Sequence, residues 1–170
     1  MKFLLIPGVL SILAAVAGMT MIAQATISPK SHISNQQPQN LLAAGSLEQS
    51  VHNQVNRYRR AKNLPPLAFD QTIAAQARAH SADMANSSQI SHNGFDGRAA
   101  AIRQTIRYSS IAENVASNQG YENPDNTAIK GWIDSPGHQR NMVGNFDLTG
   151  IGVVERGGSY YFTQIFVHKR

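Results

Sequence analysis

The sequence predicts an α/β domain: an α-β-α sandwich in which helices cover both faces of a small, largely antiparallel sheet. Three observations predict it. Through most of the folded region apolar residues recur every three or four positions, the spacing of amphipathic helices. Near the C-terminus the pattern shifts to two apolar runs joined by Arg156-Gly157-Gly158-Ser159, the signature of a hairpin. The last run is apolar on both faces, with Phe162 and Phe166 on one and Tyr161, Ile165 and Val167 on the other. Such a strand is covered on both sides.

The elements follow in order. Met1-Lys2 and the apolar stretch Phe3–Ala23, closed by Ala23-Gln24-Ala25, read as a secretory signal peptide over residues 1–25. An uncleaved membrane anchor is the alternative, since about 20 apolar residues can span a bilayer. Either way the folded part is expected outside the cytoplasm, secreted or periplasmic. Residues 26–45 hold Pro29, Pro38 and a polar run from Ser34 to Asn40, and read as a flexible linker. The domain then occupies 46–170. Ser46 is the expected cap of the first helix, with Gln49 as its capping-box partner and Leu47, Val51, Val55 and Tyr58 as its apolar stripe, ending near Lys62-Asn63. Asp70 caps a second helix that runs to about Asn86, with Ile73, Ala77, His80 and Met84 on its inner face. Ser91–Gly97 reads as loop and Arg98–Arg107 as a short helix. Asn123-Pro124 opens a further helix that carries Ala128, Ile129, Trp132 and Ile133 and stops at Ser135-Pro136. Leu148–Glu155 and Tyr160–His168 are the two strands.

Composition narrows the chemistry. The 170 residues include no cysteine, which excludes a disulfide scaffold, a cysteine-ligated zinc site, a thiol nucleophile and a lipid-modified cysteine anchor. The formal net charge is +5, but the basic residues are scattered apart from Arg57-Tyr58-Arg59-Arg60-Ala61-Lys62. That cluster reads first as a solvated helix face and second as a patch for an anionic polymer or surface. No aromatic residues interleave with a basic block, so no nucleic-acid partner is expected. Neither a Gly-x-Ser-x-Gly elbow nor a His-Glu-x-x-His pair occurs.

Six separated motifs carry a resemblance. They are Val55-Asn56-Arg57, Pro65-Pro66-Leu67, Ile90-Ser91-His92, Ala112-Glu113-Asn114-Val115-Ala116, Gly131-Trp132-Ile133-Asp134-Ser135-Pro136-Gly137-His138 and Gly150-Ile151-Gly152-Val153. In this order and spacing the chain closely resembles the CAP superfamily of cysteine-rich secretory, antigen 5 and pathogenesis-related proteins, also called SCP domains. The resemblance spans about Leu47 to Val167, and its Ser-Pro-Gly-His form is that of the bacterial extracellular branch. It implies an α-β-α sandwich with a cleft of two histidines and two acids. His92, Glu113 and His138 match three of the four. Asp134 and Ser135 stand where many eukaryotic members carry the second glutamate, so Asp134 is the remaining acid candidate.

Two converging imidazoles suit a divalent cation such as zinc, with Glu113 ligating or orienting and Asp134 as a further candidate ligand. Pro136 at a helix start places His138 in the first turn, where the positive helix end disfavours imidazolium. The resemblance further implies a binding module for a cation, a small apolar ligand or a cell-envelope component. The alternative is a peptidase- or esterase-like hydrolase in which His92, Glu113 and His138 serve as catalytic groups.

Overall fold

The computed structural model describes residues 36–170, with side-chain surroundings from residue 43 onward. The leader, and the first part of the expected linker, lie outside the described residues. Five helices and four strands follow in the order α1 (Gln36–Ala61), β1 (Ala68–Phe69), α2 (Gln71–Ser87), α3 (Phe95–Arg103), β2 (Tyr108–Gln119), α4 (Pro124–Asp134), α5 (Pro136–Met142), β3 (Leu148–Arg156) and β4 (Ser159–Lys169). Among the described residues no helix is long and apolar enough to cross a membrane.

The sheet order is β1-β3-β4-β2. The β2–β4 and β3–β4 pairs are antiparallel, and the two-residue β1 runs parallel to β3. The alternation seen in β4 sorts the core. Phe162 and Phe166 pack with Val51 and Val55 of α1, Ile129 and Trp132 of α4 and Met142 of α5. Ile165 and Val167 meet Ile73 and Ala77 of α2 and Ile102 of α3, while Tyr161 meets Met84 and Ala85. So α1, α4 and α5 cover one face, and α2 and α3 the other. The glycines of β3 settle how close the second layer lies. A Cβ on Gly150 would fall 2.1 Å from the Ala74 nitrogen, and one on Gly152 would fall 2.2 Å from the Arg78 nitrogen. Only a strand stripped of side chains lets the α2 backbone approach this far.

Several boundaries differ from the sequence reading. The linker expectation is corrected from Gln36 onward, because α1 begins there, ten residues before Ser46. Pro38 sits in the first turn, where its missing N–H would have no helical acceptor anyway. Ser46 is therefore no cap; its Oγ donates to the Ala43 carbonyl (2.7 Å). Asp70 does cap α2, accepting from the Ile73 N–H. α3 starts at Phe95 rather than Arg98, because Gly94 turns the chain at φ 74°, a left-handed conformation natural to glycine. The largest omission is β2. Its twelve residues, Tyr-Ser-Ser-Ile-Ala-Glu-Asn-Val-Ala-Ser-Asn-Gln, include Ala112–Ala116, a stretch to which the sequence reading assigns no strand. The basic run at the end of α1 is also not uniformly solvated. Arg59 is buried and donates to the carbonyls of Pro65, Met142 and Gly144, tying α1 to the segment after α5. Burial lowers its pKa from the usual arginine value.

Candidate functional site

The site forms along β2, which is an edge strand and so lies open between the two helical layers. On the α2 face of β2, Glu113 is nearly enclosed, with a side chain 2 % exposed. Arg98 reaches it from α3 as a two-pronged clamp, Nε to Oε2 and Nη2 to Oε1, both at 2.8 Å. This planar fork is the strong form of a guanidinium–carboxylate pair. His92 meets the same carboxylate through Nδ1 at 2.9 Å. A carboxylate accepts only, so Nδ1 donates to it, and the neutral tautomer compatible with this bond has a bare Nε2. His80 lies behind them, 4.0 Å from Glu113, and donates through Nε2 to the Ser91 carbonyl (2.7 Å), which holds the His92 loop against α2. The expected packing role of His80 is therefore joined to a bracing one.

On the other side of β2, α5 supplies His138. Asn114, fully buried, donates through Nδ2 to the His138 carbonyl (3.0 Å), and its Oδ1 accepts from Asn141 (2.8 Å). These bonds fix α5 to the strand. Ser135 occupies the N-cap position of α5 but makes no capping bond; its Oγ instead meets His138 Nδ1 at 3.0 Å. The His138 pKa is lowered, first by burial and second by the charge of His92. The two imidazoles are thus close enough to feel each other, and His138 is neutral at pH 7. The direction agrees with the helix-start argument, while burial and His92 are its causes.

Of the residues the motifs implied, His92 and Glu113 are hydrogen-bonded to each other, and His138 stands on α5 across β2, joined to the strand through Asn114. Asp134 does not join them: its side chain is 58 % exposed and pairs with Lys130 on the outer side of α4. Both Glu113 oxygens are held by Arg98, which leaves that carboxylate poorly placed to ligate a cation. Among the described residues no group of three or more histidine, cysteine or acidic side chains is placed to hold a metal ion. Glu113 is hydrogen-bonded to the Arg98 guanidinium and to His92 Nδ1, so its carboxylate fixes the orientation of that imidazole.

Next to His138 a groove of about 400 Å³ runs along the edge of β2. Val115 and Ala116 form its floor, Ala128 and Trp132 of α4 one wall, and Ile90 and Tyr121 its rim. Trp132 donates its indole N–H to the Val115 carbonyl (2.9 Å), so α4 caps an outward-facing group of the edge strand. Sequence reasoning missed Arg98 and Tyr121 as parts of this site, and marked Ile90 only as a motif neighbour of His92. Arg98 is legible only once β2 is known to pass beneath α3. Ile90 and Tyr121 are single apolar residues in loops and carry no periodic signal.

Comparison with known proteins agrees with this geometry. Residues 52–166 match the CAP family, described as the Cysteine-rich secretory protein family. The chain is 31 % identical over 131 residues to the protein YkwD of Bacillus subtilis, covering 75 % of this chain and 49 % of that one. A membrane protein of the same organism, YlbC, is 29 % identical over 128 residues, covering 72 % of this chain and 34 % of its own. The chain thus spans about half the length of these curated relatives or less. The crystal structure of an extracellular SCP-domain protein of Bacillus anthracis superposes with a TM-score of 0.68 at 28 % identity, covering 78 % of this chain and 43 % of that one. An outer surface protein of Borrelia burgdorferi shares the fold, with a TM-score of 0.63 at 19 % identity, covering 74 % of this chain and 94 % of its own. With the family match covering most of the chain, and the two histidines and Glu113 gathered at one strand edge, the protein belongs to the CAP, or cysteine-rich secretory protein, family.

Proposed function

We propose that this is an exported binding module whose groove beside His138 takes a small ligand with an apolar body and a polar head. One observation carries the reading. Among the described residues the exposed large hydrophobic side chains are Ile90 (51 %) and Tyr121 (58 %), and both stand on the rim of the same groove. Exposed apolar groups gathered around a concave site mark binding surfaces rather than chance exposure. The polar end of the ligand meets His138 and Ser135. Neutral His138 admits a hydroxyl or carboxyl group without requiring a counter-charge. The extracellular description of the Bacillus anthracis relative and the N-terminal leader pattern support export.

The test uses 1-anilinonaphthalene-8-sulfonate, which fluoresces in apolar sites, displaced by decanoate. Saturable binding should weaken about tenfold or more in Ile90→Ser/Tyr121→Ser, equivalent to roughly 1.4 kcal/mol. Equal binding by parent and variant would refute the assignment.

A second reading, hydrolysis, has the Glu113–His92 pair in its favour, since a carboxylate-oriented imidazole with a bare Nε2 is a base. It expects turnover of p-nitrophenyl esters or peptidoglycan fragments that His92→Ala abolishes. No turnover by the parent would remove it.

A further inference from the structure

The fold assembles a basic patch that the sequence keeps apart. Arg103 ends α3, Arg107 precedes β2, Lys169 ends β4 and Arg170 follows it. Because β2 and β4 are antiparallel, the start of one lies against the end of the other. Tyr108 is the register partner of Lys169, and the Arg170 N–H donates to the Arg107 carbonyl (3.0 Å). The Arg103 guanidinium lies over the Tyr108 ring, 4.0 Å from its centre. That stacking fixes the cation beside the same strand pair. All four side chains are exposed. Among the described residues none of the four is in a salt bridge. One acid, Asp147, packs against this end; it accepts from the Lys169 N–H (2.8 Å) and lies 2.9 Å from His168 Nδ1.

We infer that this end of the sheet is a docking surface for a linear phosphate-bearing polymer. Three of the four cations are arginines, whose fork matches phosphate oxygens two at a time. A row of unpaired cations favours a chain of regularly repeated anions, whose counterions are released on contact. A bilayer is the weaker fit. The exposed large hydrophobic residues, Ile90 and Tyr121, belong to the groove, and none lies at this end among the described residues. Surface-lying membrane contacts rely on such side chains. The patch is also separate from the groove. Five residue steps of β2 separate Tyr108 from Glu113, the partner of His92, about 17 Å along the strand, and nine steps separate it from Ser117 in the groove, about 30 Å.

The experiment compares three proteins. They are the parent, the triple variant Arg103→Gln/Arg107→Gln/Lys169→Gln, and a control of equal charge loss, Arg57→Gln/Arg60→Gln/Lys62→Gln, at and just past the C-terminal end of α1. Medium-chain inorganic polyphosphate is titrated by fluorescence anisotropy over a range of salt. The first variant should bind at least tenfold more weakly, and the slope of log affinity against log salt should become shallower by about two. The control should stay within about threefold of the parent. Thermal melts confirm that all three are folded; a variant that melts early is replaced by Arg103→Lys/Arg107→Lys, which keeps the charge and should lose affinity for want of the bidentate fork. Equal losses in both triple variants would show that only net charge matters and overturn the inference. So would an unweakened first variant, or binding to vesicles of equimolar phosphatidylglycerol and phosphatidylcholine with none to polyphosphate.

Discussion

Replacing Gly152 by alanine probes one of the two close approaches of the α2 backbone to β3. The added methyl carbon would lie 2.2 Å from the Arg78 nitrogen and 2.3 Å from the Ala77 carbonyl carbon. Ordinary contact begins at 3.4 Å, so α2 must retreat by about 1.2 Å, the difference between 3.4 and 2.2. Backbone cannot swing aside as a flexible side chain can. The retreat also stretches the Ser81 hydroxyl from the Gly152 carbonyl and from Thr163 Oγ1, both now 2.9 Å away. Overpacking costs about 1–3 kcal/mol. Each weakened buried hydrogen bond adds about 1 kcal/mol. Together the loss is about 3–5 kcal/mol, a large share of a typical total of about 5–15 kcal/mol. At roughly 3 °C per kcal/mol for a domain of this size, Tm falls by about 9–15 °C. Circular dichroism melts measure it. The control is Gly97→Ala in α3, where nothing lies within 4 Å of the new methyl and where alanine favours the helix by up to about 1 kcal/mol. A Gly152→Ala protein melting within about 2 °C of the parent, a shift of less than 1 kcal/mol, would refute the close approach of α2 to β3.

Other substitutions test the site and the core. Trp132→Ala removes a core aromatic that is 1 % exposed and leaves the Val115 carbonyl without its indole donor; the loss should be about 3–5 kcal/mol in urea unfolding, and an unchanged midpoint would place Trp132 outside the core. Arg98→Gln strands the Glu113 carboxylate and should cost about 3–5 kcal/mol, whereas Arg98→Met/Glu113→Gln removes both charges and should cost much less. Equal losses in the two would show that the pair does not act as a unit. His138, with a folded pKa below its unfolded value, takes up its proton more readily in the unfolded chain. Stability from this group is therefore full above the unfolded value of about 6.5, declines as pH falls below it, and levels off beneath the folded pKa. Unfolding midpoints of parent and His138→Gln should converge with acid; parallel curves would contradict the lowered pKa.

Much of the fold was legible because burial and period agree. α2, α4 and β4 announce themselves through Ile73-Ala77, Ala128-Trp132 and Phe162-Phe166, whose spacing repeats the geometry that buries them. β2 was illegible for the opposite reason. Its enclosed residues include Glu113 and Asn114, and polar residues in a strand centre erase the alternation that sequence reading relies on. Those two residues are also the ones that build the site, so the break in the pattern was itself a functional mark. The motif match located His92, Glu113 and His138, yet it could not tell what Glu113 does. That depends on Arg98, fifteen residues earlier on a helix whose start is set by Gly94. The acid expected at Asp134 fails because α4 turns that side chain outward to Lys130.

The chain has one tryptophan, and it lines the groove. Quenching of Trp132 fluorescence by a nitroxide-labelled stearate therefore tests the ligand site most directly. Titrated into the folded protein at neutral pH, the probe should quench Trp132 in a saturable curve. Tyr121→Ser and Ile90→Ser should each shift that curve to higher concentration, and added decanoate should reverse it. Quenching that rises linearly without saturation, or that is identical in parent and both variants, would contradict the assignment of the groove as the binding site.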